Sequence, residues 1–107
     1  MPTLLTLDTA RRNNGKLVLA AAGEIDLSNI DTFTQALGTA VTETAGSGET
    51  LTVDLSAVEY LDSAAINALF VHAEQIHLIA RPLLMSVFTI SGLTELASVE
   101  PAPTDEH

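Results

Sequence analysis

The stretch that decides the fold occupies residues 54–66 and reads DLSAVEYLDSAAI. It runs from the end of an apolar, β-branched segment through a short loop into a segment with helical spacing. Ser63 stands at the start of that predicted helix. Backbone N–H groups point outward at a helix N-terminus and the helix dipole is positive there, so a phosphate on this hydroxyl would find hydrogen-bond donors. The sequence therefore predicts a strand, a loop and a helix that present an accessible serine.

Length and composition predict one small domain. The chain has 107 residues, 47% of them hydrophobic, which is enough for a single core. It has no cysteine, so disulfides, thiol nucleophiles and thiolate metal sites are excluded. No apolar run approaches the roughly 18 residues of a membrane span, and residues 1–4 lack the layout of a secretory signal. We therefore expect a cytoplasmic protein without membrane insertion.

The charge is strongly acidic. Fourteen Asp and Glu residues against four Lys and Arg give a formal net charge of −10. Such a surface repels nucleic acids and anionic bilayers, so neither is an expected partner. No pattern in the sequence indicates a cofactor or a metal site.

The first half of the chain predicts a hairpin and a helix. Residues 4–7 and 16–22 are short apolar runs, and the Asn-Gly pair between them favours a tight turn. Ser28 followed three residues later by Asp31 fits a capping box, which predicts a helix that ends near residues 46–48. One face of this helix carries the apolar positions Ile30, Phe33, Leu37, Ala40 and Val41.

The second half alternates strands and helices in the prediction. Residues 50–55 favour a central strand, and residues 62–80 have the spacing of one long helix that Pro82 ends. Residues 83–88 are predicted as a further strand, and 90–96 as a short helical turn. The expected fold is α/β, with a mixed sheet of about four to five strands and helices on one face. The domain is expected to span residues 1–99, followed by a disordered tail over 100–107.

Four short motifs resemble the successive signatures of STAS domains. They are GEID at 23–26, VDLS at 53–56, LDS at 61–63 and ISGL at 90–93. Each motif alone is weak, but their order and spacing match over nearly the whole chain. In length and layout the chain is most similar to bacterial anti-sigma factor antagonists.

This resemblance implies a partner-switching cycle that regulates transcription. The unphosphorylated antagonist would bind an anti-sigma factor of the histidine-kinase-like ATPase type, and that kinase would phosphorylate its own inhibitor. The family pattern places the phosphoacceptor directly after an Asp, which here makes Ser63 the acceptor after Asp62. Asp26 and Ser28 correspond to the neighbouring contact region. A phosphatase would reverse the modification.

Two features depart from the family pattern. Ala64 and Ala65 follow the acceptor, where a small hydroxyl residue and a glycine are common, and they belong to the expected partner-binding surface. The chain between Val87 and Ile90 also looks shorter than the family norm, as if a C-terminal helix were truncated. A truncated helix would uncover the sheet around Leu84 and Val87, and a homodimer is one way to cover it.

Other interpretations of the same residues remain open. Ser63 and Asp62 are favoured at a helix start for local capping reasons alone. The alternative is a STAS scaffold or regulatory subunit of a larger signalling or transporter complex, without phosphorylation. Ser63 lies nine or more residues from His72 and His77 along the predicted helix, a rise of roughly 13 Å, so these residues cannot form a hydrolytic triad there. We therefore do not expect an enzyme.

Overall fold

The structure is a computed structural model that describes residues 4–12 and 15–102. In these residues a five-stranded sheet carries three α-helices and two short 3-10 helices. The strands are β1 Leu5–Arg11, β2 Leu17–Ile25, β3 Leu51–Leu61, β4 Ile76–Ala80 and β5 Ser98–Pro101. The α-helices are α1 Ile30–Ala45, α2 Ser63–Val71 and α3 Pro82–Ser91, and the 3-10 helices are Ala73–Gln75 and Leu93–Glu95.

The strands follow one another across the sheet in the order in which they occur along the chain. β1 is antiparallel to β2, and the other neighbouring pairs are parallel. Each parallel connection passes through one α-helix, and right-handed crossovers between adjacent strands place these helices on the same face. The predicted α/β fold with a mixed sheet is confirmed, as is the hairpin, although residues 13 and 14 of its turn lie outside the described residues.

The core lies between the sheet and the helices. Leu51, Val53 and Leu55 of β3 are fully buried and alternate with partly exposed residues, as expected for a strand with one covered face. The apolar face predicted for α1 is confirmed. Its members are buried or packed against the core: Ile30, Phe33, Leu37, Ala40 and Val41. None of the described helices is long and apolar enough to span a bilayer.

Gly23 fixes the approach of β1 to the end of β2. Its φ is +102°, and a Cβ built on it would lie 2.3 Å from the Leu4 carbonyl oxygen. That same oxygen accepts a hydrogen bond from the Glu24 N–H at 3.1 Å. Only glycine allows this close backbone approach together with a positive φ. The position therefore anchors the segment that leads from β2 into the following loop.

The predicted long helix over residues 62–80 is wrong. α2 ends at Val71, a 3-10 turn follows, and residues 76–80 form β4. Burial alternates along β4, with Ile76, Leu78 and Ala80 buried. Burial therefore repeats every two residues, as in a strand, and not every three to four residues, as in a helix. His72 therefore ends α2, whereas His77 belongs to the sheet.

The predicted strand over residues 83–88 is also wrong, because this segment forms α3. Pro82 is the first residue of that helix, a place where its fixed φ and missing N–H are tolerated. Gly92 ends the helix with a φ of +88°. The ten-residue helix stands directly before the ISGL motif's Gly92, and within it Leu84 is buried and Val87 packs against the core. The uncovered sheet expected around these two residues does not exist.

β5 was not predicted from the sequence. It includes Glu100 and Pro101, which the sequence analysis assigned to the tail, while residues 103–107 lie outside the described residues. His77 of β4 holds this edge strand through both ring nitrogens. Its Nδ1 lies 2.8 Å from the Ser98 hydroxyl, and its Nε2 contacts the Glu100 carboxylate. Two successive outward residues of β5 thus contact a single side chain of β4.

Candidate functional site

Ser63 is the first residue of α2 and is exposed. Asp62 immediately before it is the N-cap residue, in an extended conformation. The Asp62 carboxylate accepts hydrogen bonds from the Ala64 and Ala65 N–H groups at 3.0 and 3.3 Å. The carboxylate therefore satisfies two of the free N–H groups of the helix. The Ser63 hydroxyl stays at the surface.

A backbone hydrogen bond joins the Ser63 segment to the end of β2. The Asp62 N–H donates to the Ile25 carbonyl oxygen at 3.1 Å. Ile25 and Leu61 are partners in the parallel pairing of β2 and β3, so both chains leave the sheet side by side. The loop after β2 and the start of α2 consequently form one continuous surface, which brings together the predicted residues Asp26, Ser28, Asp62 and Ser63.

The loop after β2 is held by its own side chains. The Asp26 Oδ1 accepts hydrogen bonds from the Ser28 N–H at 2.9 Å and from the Ser28 hydroxyl at 2.5 Å. The Asn29 Oδ1 accepts from the Asp26 N–H at 3.0 Å, while the Asn29 Nδ2 donates to the Glu24 carbonyl oxygen at 2.9 Å. The loop is therefore ordered before any partner binds, which lowers the entropy cost of docking.

Ser28 is not the N-cap of α1, contrary to the sequence analysis. The helix begins at Ile30 with Asn29 as its N-cap residue, and no side-chain cap bond is present. Asn29 instead points back to close the loop, and the Ser28 hydroxyl bonds to Asp26. Sequence reasoning missed Asn29, although its position just before a helix favours such local bonds.

Two exposed apolar side chains belong to the two segments that leave the sheet at this site. Leu27 lies in the loop after β2 with 77% of its surface exposed, and Tyr60 near the end of β3 is 50% exposed. Exposed aromatic and aliphatic groups beside polar ones are typical of protein-binding surfaces. The sequence analysis did not select either residue. Both are apolar residues at or just after the end of a strand, where the core offers no position for them, and this placement is the sequence signal that could have identified them.

Ala64 and Ala65 differ in their surroundings. Ala64 is partly buried, whereas Ala65 is fully buried in the core. No residue other than glycine has a positive φ among the described residues, so α2 begins with ordinary helical geometry. Alanine at both positions therefore fits the helix without strain, and of the pair Ala64 carries the accessible surface.

The charges around Ser63 are acidic. Besides Asp26 and Asp62, carboxylates stand at three nearby places in the sequence, Glu24, Asp31 and Glu59. The Lys and Arg residues stand elsewhere: Arg11, Arg12 and Lys16 at the β1–β2 hairpin, and Arg81 after β4. A negative group added to Ser63 would therefore enter a neighbourhood that is already negative.

His72 and His77 lie away from this site. His72 is the C-cap residue of α2, nine residues after Ser63, and His77 contacts β5 instead. Among the residues that the structure describes, no group of three or more His, Asp or Glu side chains is placed to hold a metal ion. The site therefore consists of a hydroxyl, a capped helix start, an ordered loop and two apolar side chains.

This combination of sheet order and serine-bearing helix defines a family. The family model described as "Mlab, STAS domain" matches residues 9–98. The chain belongs to the STAS domain family, and the resemblance seen in the sequence is confirmed.

Solved structures share this fold. An anti-sigma factor antagonist from Mycobacterium paratuberculosis is 28% identical, with a TM-score of 0.79 over 95% of this chain and 88% of that one. The unphosphorylated form of the anti-sigma factor antagonist SpoIIAA is 16% identical, with a TM-score of 0.68 over 94% and 90% of the two chains. The phosphorylated form of the Bacillus cell fate determinant SpoIIAA is 17% identical, with a TM-score of 0.65 over 94% of each chain. A search of curated proteins found no match.

Proposed function

We propose that this protein is an anti-sigma factor antagonist whose affinity for its partner is switched by phosphorylation of Ser63. The observation that carries this proposal is the exposed Ser63 at the start of α2, directly after Asp62, whose N–H donates a hydrogen bond to the Ile25 carbonyl oxygen at the end of β2. The partner is an anti-sigma factor of the histidine-kinase-like ATPase type in the cytoplasm, with a phosphatase to restore the serine. Solved neighbours named as anti-sigma factor antagonists support this assignment.

The contact surface consists of the two adjoining segments that bear the serine and the loop. Asp26, Ser28, Asp62, Ser63 and Ala64 supply its polar and small groups. Leu27 and Tyr60 extend it with exposed apolar area. Ala65 supports the surface from below, because its methyl group lies in the core.

A phosphate on Ser63 acts on binding rather than on folding. It adds about −1.5 to −2 charges. The Ala64 and Ala65 N–H groups already bond to Asp62, so the phosphate gains little from them while it adds repulsion to the nearby carboxylates. Because Ser63 is exposed, water still solvates the phosphate and the fold tolerates it. Its bulk and charge instead oppose a partner that docks on this surface, above all one that holds ATP phosphates.

Isothermal titration of the purified anti-sigma factor against two variants tests the proposal. Ser63→Ala is expected to bind as tightly as the wild type, and Ser63→Asp about a hundredfold more weakly. Ser56→Asp is the matched control, since it adds the same charge at another exposed serine, on β3. Equal affinities for the two Ser63 variants would contradict the switch.

One observation favours a second candidate, a STAS scaffold or regulatory subunit that is not phosphorylated. Ala64 and Ala65 replace the hydroxyl and glycine that commonly follow the acceptor in the resembling family. A pull-down from native-cell lysate with wild type and Ser63→Asp separates the two candidates. Recovery of a histidine-kinase-like ATPase on the wild type alone supports the antagonist, and recovery of the same partners on both supports the scaffold.

A further inference from the structure

α3 exposes an apolar stripe to solvent. Leu83 and Ile90 are 68% and 87% exposed, and they lie seven residues apart, which places them on the same face of the helix. Val87 lies between them and is half-buried, because part of its surface packs against the core. The neighbouring face of the helix packs into the core through Leu84 and Phe88. α3 is therefore apolar on two faces, and only one of these has a partner within the chain.

This stripe is also free of charge in an otherwise acidic protein. Residues 82–94 contain no Asp, Glu, Lys or Arg, although the chain carries a net charge of −10. Arg81 stands directly before this tract and Glu95 directly after it, and both are exposed. Neither makes an ion pair with any other described residue. The tract therefore has an uncharged, largely apolar centre, with a positive charge at its N-terminal end and a negative charge at its C-terminal end.

We propose that α3 is the interface of a homodimer in which two copies of this helix pack antiparallel about a two-fold axis. In that arrangement Leu83 of one copy meets Ile90 of the other, and the two Val87 side chains lie near the axis. The same operation brings Arg81 of each copy toward Glu95 of the other, so charge complementarity selects a second copy as the occupant. Two-fold interfaces require this kind of self-complementary surface.

The expected dimer is weak. α3 has ten residues and a length of about 15 Å, so the contact lies at the small end of specific interfaces. Two chains of charge −10 also repel each other at long range. We expect half of the protein to be dimeric at roughly 100 µM.

The dimer interface is separate from the Ser63 surface. Ala80, the last residue of β4, pairs with Leu55, whereas β3 continues to Leu61, six residues further. Six strand residues span roughly 20 Å, so the start of α3 lies well short of Ser63 along the sheet. Dimerisation and partner binding can therefore be measured independently, and failure of one leaves the other intact.

Sedimentation velocity from about 10 µM to about 1 mM tests the dimer with the full chain. The wild type should shift from monomer to dimer across this range, and Ile90→Glu should weaken the association by about tenfold or more. Leu4→Glu is the matched control: it replaces another exposed apolar residue, just before β1 at the other edge of the sheet, and should leave the association unchanged. Circular dichroism verifies that each variant is folded.

Charge reversal tests the orientation of the two helices. Arg81→Glu alone places two carboxylates together at each end of the dimer and should weaken it several-fold. Adding Glu95→Arg exchanges the two charges and should restore the wild-type association. A wild type that stays monomeric at the highest concentration would overturn the proposal. Loss of association in Leu4→Glu equal to that in Ile90→Glu, or a double variant no better than Arg81→Glu, would overturn the antiparallel α3 interface.

Discussion

Replacement of Gly23 by alanine is the sharpest test of the fold near the site. The new Cβ would lie 2.3 Å from the Leu4 carbonyl oxygen, a distance that the backbone must relieve by moving. Relief separates the start of β1 from β2 and breaks the Glu24 N–H to Leu4 hydrogen bond, at a cost of about 1 kcal/mol. The positive φ of +102° adds about 1–2 kcal/mol for a residue with a Cβ.

Together these terms predict that Gly23→Ala lowers the free energy of unfolding by about 1–2.5 kcal/mol, once a gain of about 0.4–1 kcal/mol from the stiffer unfolded chain is subtracted. For a domain of this size the midpoint of thermal unfolding should fall by roughly 5–15 °C. Circular dichroism during heating and urea titration measures both quantities. Because Gly23 leads into the loop that contains Asp26, partner affinity should fall as well.

Two other glycines provide the controls. Gly48 has a φ of +74° and no atom within 4 Å of a built Cβ, so Gly48→Ala should cost about 1 kcal/mol from backbone strain alone. Gly38 lies inside α1 with open space around it, so Gly38→Ala should stabilise the protein by about 0.5–1 kcal/mol. If Gly23→Ala destabilises no more than Gly48→Ala, the close approach of Leu4 does not constrain this position and the reasoning is refuted.

Asp62→Ala should cost about 1 kcal/mol of unfolding free energy because α2 loses its cap, whereas Asp62→Asn should retain most of it; equal losses in urea titration would argue against capping. Asn29→Ala removes both bonds that close the loop after β2, and we expect a loss of about 1–2 kcal/mol together with weaker partner binding by isothermal titration. Phe88→Ala should cost about 3–5 kcal/mol, since this side chain is fully buried in the core. The neighbouring Ile90→Ala should change the stability of the dilute monomer by less than about 0.5 kcal/mol in the same assay, and a comparable loss would show that the exposed stripe packs within the chain.

The first half of the fold was predictable because local signals agree with the tertiary structure. The Asn-Gly turn specifies a hairpin, and the apolar spacing from Ile30 to Val41 matches a helix that packs on a sheet. The second half was mispredicted because its signals are ambiguous. Ile76–Ala80 is a five-residue apolar run whose composition suits a strand or the end of a helix.

The role given to Pro82 determined how the residues on either side of it were assigned to helix or strand. The sequence analysis places it at the end of a helix, but in the structure it begins one, and both roles follow from its missing N–H. Two neighbouring segments are misassigned as a result: residues 76–80 form a strand and residues 82–91 a helix. The helical turn predicted over residues 90–96 agrees with the 3-10 helix Leu93–Glu95.

The site was predictable only where its residues are neighbours in sequence. Asp62 and Ser63 can be recognised in the sequence because they stand at the start of a predicted helix. Asn29 closes the loop after β2 through hydrogen bonds to Asp26 and Glu24. Leu27 is exposed on a surface that forms because the chain segments after β2 and β3 leave the sheet side by side. No periodic pattern encodes such roles, because they depend on the parallel pairing of β2 with β3.

The unbroken order of the five strands has a consequence for the shape of what this protein can recognise. Parallel α/β sheets that bind metabolites reverse their strand order at one point, and two helices diverge to opposite faces and leave a crevice there. Here the order runs from β1 to β5 without reversal, so successive helices stay on one side and no such crevice opens. Among the described strands, the edge that carries Ser63 therefore has no crevice between diverging helices, an arrangement that suits contact with another protein better than the enclosure of a small molecule.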